Sequence, residues 1–116
     1  MWVKYNPDWL VNLLEEQLPE KTEMIEAAKQ CIRGRWEKKN YITFVSTKNP
    51  DLPGSEWQFK ENLILEDADR GMLVLDILKD GRIGGDSVYF GGRIRPDTIY
   101  PDLNVIQKGK KLSVHD

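Results

Sequence analysis

Hydrophobic residues recur at helical spacing only in the first third of the chain. Trp9, Leu10, Leu13, Leu14 and Leu18 fall on one side of a helical repeat. Asn6, Pro7 and Asp8 precede them, supplying a capping amide, a proline suited to the first helical position and an early carboxylate that favours the helix dipole. Pro19 predicts the end of this helix. A second helix is predicted from about Glu20 to Arg33, with Met24, Ile25, Ala28, Cys31 and Ile32 as its apolar stripe. Its acids (Glu20, Glu23, Glu26) come early and its bases (Lys29, Arg33) late, and Gly34 fits the position just past its end.

From Tyr41 onward the repeat changes to strand-like. Tyr41–Val45 is β-branched and aromatic. Lys48–Ser55 carries two prolines and a glycine among polar residues and predicts a loop. Trp57, Phe59, Leu63 and Leu65 alternate along the next strand, and Asp67–Gly71 predicts a turn. Met72–Leu78 is apolar on both sides apart from Asp76, so it predicts a central strand. Asp80-Gly81 between two strand patterns predicts a tight primed hairpin turn into a partner strand, Ile83–Phe90. Gly84-Gly85 inside that strand predicts a bulge or a close backbone approach. The remainder predicts loop with one short edge strand and a mobile tail over residues 107–116. The fold class is therefore α+β. Two N-terminal helices pack on one face of an antiparallel meander of four or five strands, in a single domain spanning 1–116.

Composition narrows the chemistry. The chain has 116 residues, 17 Lys+Arg against 19 Asp+Glu, and net charge -2. That balance argues against a nucleic-acid partner. No apolar run approaches the roughly 18 residues of a membrane helix, and no secretory leader pattern opens the chain. With a single cysteine, these features predict a cytoplasmic protein with no membrane association.

Catalytic and metal signatures are sparse. The one histidine, His115, sits at the tail, and Cys31 lies on an apolar stripe. No His or Cys pair has zinc spacing, and Asp67-x-Asp69-x-Gly71 lacks the remaining ligands of a calcium loop. The glycines match no phosphate loop. The expectation is a non-catalytic protein with no cofactor and no metal. Two positive features remain. Residues 63–80 carry five acids, Glu66, Asp67, Asp69, Asp76 and Asp80, against two bases, which suggests an acidic partner-binding surface near one end of the sheet. Trp2, Trp36 and Tyr100 fall outside the core stripes, as interface aromatics do. A small enzyme built on Asp76, Asp86, Arg82 and Arg93, or a structural, self-associating module, are the alternatives.

Two leading helices, then strands ending in Gly71-Met72-Leu73-Val74-Leu75-Asp76-Ile77-Leu78-Lys79-Asp80-Gly81-Arg82-Ile83-Gly84-Gly85, give residues 8–90 a layout that resembles small bacterial toxin-immunity proteins. The resemblance implies a cytoplasmic, non-catalytic protein that binds a cognate toxin domain. A nuclease toxin with a basic groove would complement acidic turns.

Overall fold

The computed structural model describes residues 1–67 and 71–89, and the backbone of 105–108. Helix α1 spans Asp8–Gln17 and α2 spans Thr22–Lys29. The strands are β1 (Trp2–Lys4), β2 (Arg33–Lys38), β3 (Tyr41–Thr43), β4 (Phe59–Asp67), β5 (Gly71–Leu78), β6 (Ile83–Tyr89) and β7 (Val105–Lys108). They form one sheet in the order β1-β2-β3-β6-β5-β4-β7. Neighbours among the first six are antiparallel, and β7 lies parallel to β4.

The α+β class and the helix-on-sheet layering match the sequence expectation. Leu10, Leu13, Leu14 and Leu18 of the α1 segment, with Ile25, Ala28 and Cys31, bury against Leu63, Leu65, Leu73, Leu75, Ile77 and Ile83. β4 and β5 contribute alternate residues to that face, as pleated strands do. At the start of α1, the Asn6 side-chain oxygen accepts the Asp8 backbone N–H at 3.0 Å. At its end, buried Gln17 donates its amide to the Glu66 carbonyl and ties the helix to β4.

Five expectations are corrected. The sheet has more strands than four or five, because β1 and β2 were not anticipated. It is two antiparallel runs, β1-β2-β3 and β6-β5-β4, joined between β3 and β6, and so not a simple meander. Helix α2 stops at Lys29, so Ile32 is exposed rather than on a stripe. Gly34 is not a helix end but an inward position of β2, where a Cβ would stand 2.6 Å from Ile42 Cδ1. The 79–82 connection is not a two-residue primed turn, which would need a positive φ at both central residues. Only Gly81 has one (φ 91°), Gly81 N–H donates to the Leu78 carbonyl, and Leu78 N–H donates to that of Arg82. That pattern is a three-residue loop ending in a left-handed glycine. Of the predicted mobile tail, Gln107 and Lys108 belong to β7, the short edge strand the sequence anticipated, and the rest lies outside the described residues.

The glycine pair in β6 serves both purposes expected of it. The β5–β6 register shifts between Asp76↔Gly85 and Ile77↔Ile83, which marks a bulge at Gly84. A Cβ on Gly84 would lie 2.8 Å from the buried Trp57 ring and 2.9 Å from Leu78. Among the described residues, no helix is long and apolar enough to cross a membrane.

Gly84→Ala overpacks the small cluster of Val45, Trp57 and Leu78. It should destabilise the fold by about 1–3 kcal/mol. Urea unfolding would show this as a lower midpoint with an unchanged slope.

Candidate interaction surface

The four described acids, Glu66, Asp67, Asp76 and Asp80, do not form one surface. Asp67 ends β4 opposite Gly71, with Glu66 beside it opposite Met72. Asp80 sits in the β5–β6 loop, at the other end of β5. At about 3.3 Å per residue, the eight residues of β5 separate these ends by roughly 25 Å. Asp69 lies outside the described residues, as do Arg93, Tyr100 and His115. The expectation of crowding near one end of the sheet is therefore corrected: acids close in sequence are parted by the length of a hairpin.

The acids also differ in environment. Asp80 is exposed and bound to Arg82 Nε at 2.7 Å, and the same guanidinium reaches Glu56 at 3.3 Å. Burial is the largest single influence at Asp80 and opposes ionisation, but the hydrogen bonds and charge of Arg82 together outweigh it and lower the pKa. Asp76 instead lies within the sheet, on the face away from the helices. Its carboxylate accepts from Tyr41 Oη at 2.7 Å and from Asn62 Nδ2 at 2.8 Å. Burial raises its pKa, and those two hydrogen bonds offset only part of the rise. Tyr41 is pushed up as well, first by burial and then by the Asp76 charge. Gly85 makes room for this group, since a Cβ there would stand 2.8 Å from the Tyr41 ring and 3.1 Å from Asp76 Oδ2. Asp76 is thus a structural member of a buried network.

The three described residues of the enzyme alternative, Asp76, Asp86 and Arg82, do not converge on one cleft. Asp86 faces Leu75 and Ile42 in register and is 2% exposed on the helix-covered side, opposite to Asp76. Arg82 is engaged at the hairpin. Cys31 is buried as expected, although past the end of α2. Burial, with a smaller contribution from the Asp86 charge, pushes its thiol up to about 12.

A different surface stands out at the β1 edge. All three residues of β1 are exposed, and so is every residue of β2 except Gly34. Trp2 (37%), Trp36 (54%) and Ile32 (57%) are open to solvent, with Trp2 and Trp36 on opposite faces of the ribbon by register. Residues 1–5 and 32–40 carry five bases (Lys4, Arg33, Arg35, Lys38, Lys39) against one acid, Glu37, a local charge of +4 in a chain of net -2. Arg35 is 3.5 Å from Glu37, whose Oε2 also accepts from Thr43 Oγ1 at 3.1 Å. Among the described residues no ion pair holds the other four bases. Two open depressions flank Trp2. One of ≈ 420 Å³ is walled by Trp2, Ile32, Arg33 and Phe44, and one of ≈ 320 Å³ by Trp2, Arg35, Glu37 and Thr43.

Trp2 and Trp36 were legible as aromatics outside the core. Their union with the bases was not, because it depends on β1 pairing with β2 through Trp2↔Arg35, Val3↔Gly34 and Lys4↔Arg33. The signal that could have shown it is Arg33-x-Arg35 followed by Trp36 and Lys38-Lys39, a strand-spaced basic run. Comparison with family models, curated proteins and solved structures returns no match.

Asp76→Ala removes the acceptor of the Tyr41 hydroxyl and the shorter of two hydrogen bonds from the buried Asn62 amide, which keeps its 3.5 Å bond to the Leu75 carbonyl. It should cost about 1–3 kcal/mol in unfolding free energy, whereas Asp80→Ala at the solvated turn should cost well under that. The pH dependence has a fixed sign. Folding holds the Asp76 pKa above its ordinary 3.8, so its penalty is absent at lower pH and grows as pH rises through the folded pKa. Asp76→Asn lacks that term, and its stability relative to wild type should improve across the same window in urea titrations. A thiol reagent at about pH 8 should leave native Cys31 unmodified on the timescale on which it labels the urea-unfolded chain.

Proposed function

We propose that this protein is a non-catalytic binding module that captures another protein, acting in the cytoplasm as an immunity protein that neutralises a cognate toxin domain. The observation that supports this reading is the β1–β2 edge. Two partly exposed tryptophans flank it, Trp2 on the face away from the helices and Trp36, paired with Ile42, on the other, beside four cations that have no ion partner among the described residues. Tryptophan and arginine are among the residues that most often dominate interface energy. The bland alternative is a solvated edge with incidental aromatics. It leaves unexplained why both tryptophans and five of the chain's bases share one ribbon.

This reading moves the partner surface away from Glu66, Asp67 and Asp80. Those acids lie at opposite ends of β5 and complement no single basic groove.

The test is capture from the native host at low salt, with the protein as bait and mass spectrometry of what co-elutes. A stoichiometric, salt-sensitive protein partner is expected. Trp2→Ala with Trp36→Ala should weaken its binding by about 2 kcal/mol or more, roughly thirtyfold, in calorimetry. Charge reversal at Glu66, Asp67 and Asp80 should leave affinity within about threefold. The opposite pattern would return the surface to the acids, and no partner at any salt would overturn the binding reading.

A further inference from the structure

We infer that β1 is a strand-addition site for an extended, acidic segment of a partner protein. The inference rests on the binding reading above and deepens it by naming the mode and the chemistry. β1 is the terminal strand of the sheet, with β2 on its inner side. Among the described residues, no strand pairs with its outer side. Tyr5 N–H donates to the Ile32 carbonyl at 2.9 Å. Antiparallel alternation then makes Val3↔Gly34 the hydrogen-bonded pair and turns the N–H and C=O of Trp2 and Lys4 outward. Those four groups are a short template for another strand.

Side chains around the template select the occupant. By alternation, Trp2, Lys4, Arg33 and Arg35 share the face away from the helices. A strand laid along β1 would place every second side chain among them. Carboxylates at those positions meet cations, and an apolar side chain between them meets the depression walled by Trp2, Ile32 and Phe44. A second copy of this chain is a poor occupant, because pairing two β1 edges would juxtapose two +4 ribbons. A nucleic acid would satisfy the cations but not the outward backbone groups, and would place phosphates beside Glu37.

The test uses a fluorescein-labelled peptide of about ten residues alternating Glu and Val, with a Lys-Val peptide and oligouridine as comparators, read by anisotropy. The Glu-Val peptide should bind, the Lys-Val peptide should not, and oligouridine should bind more weakly than Glu-Val. Lys4→Pro removes one outward N–H while sparing the β1–β2 ladder, a change edge strands tolerate. It should weaken Glu-Val binding about tenfold with an unchanged circular dichroism spectrum. Arg33→Glu should weaken it similarly and steepen neither melting nor aggregation. Because Lys4→Pro also removes a charge, Lys4→Gln serves as its reference, and strand addition requires Pro to weaken binding beyond Gln. Equal effects of Pro and Gln, tighter binding of oligouridine, or no binding of Glu-Val at low salt would each overturn the proposal. A captured partner held equally by Lys4→Pro and Lys4→Gln, yet lost by Trp2→Ala with Trp36→Ala, would sink strand addition and leave the binding reading standing.

Discussion

The β4–β5 pair is the constraint on which the rest of the structure depends. Both strands are buried on both faces through their middles, at 62–65 and 72–75. Leu63, Leu65, Leu73 and Leu75 meet the helices on one side, while Asn62, Ile64, Met72, Val74 and Asp76 occupy the other. A strand apolar on both sides carries little alternation to fix its register. Asn62 and Asp76 supply it here. They are opposite each other in register and hydrogen-bonded, with Tyr41 closing the group from β3. A one-residue slip would carry this polar set under α1 and α2, where it would meet leucines instead of partners. The network is therefore worth more as a specification of pairing than as a sum of hydrogen bonds.

Away from that pair the sheet becomes progressively wetter. β3 still buries Ile42 and Thr43, but β2 turns only Gly34 inward and β1 turns nothing. Gly34 lets the Ile42 side chain fill the space a Cβ would take, so β2 is held by backbone pairing and contributes almost no apolar area. An edge of this kind risks pairing with other edges. Cationic side chains are a common defence, since like-charged edges repel. On the proposed reading, the same charges that would repel a second copy would admit an oppositely charged strand, so one arrangement would serve both ends.

What the sequence made legible follows from how local each signal is. α1 was legible because its cap, proline and apolar stripe lie within a dozen residues. β4 to β6 were legible because long apolar runs and a glycine pair mark them. β1 and β2 were not. Trp2–Lys4 is three residues long, and Arg33–Lys38 is almost wholly polar, so Arg33 read as the last residue of a helix, Gly34 as its end, and 35–38 as no element. The acids misled for a related reason. Residues 66 to 80 are neighbours along the chain, but a hairpin sends its two ends to opposite sides of the sheet, and the member between them, Asp76, turned inward to Tyr41 and Asn62. Sequence proximity estimates spatial proximity well on a turn and badly along a strand.

Net charge misled in the same way. A value of -2 describes a nearly neutral molecule, and on that scale no partner of either sign is favoured. The field near a surface is set by charges within about a Debye length, roughly 8–10 Å at physiological salt. A partner approaching β1 meets Lys4, Arg33 and Arg35, with Glu37 and Glu56 as the acids lining the depressions beside Trp2. Such separation of charge orients an encounter before any contact forms, and the orientation it favours brings an acidic surface to the one edge where Trp2 is exposed and the backbone groups point outward. On the proposed reading, steering and docking would act at the same three-residue strand, an element whose residues are all exposed.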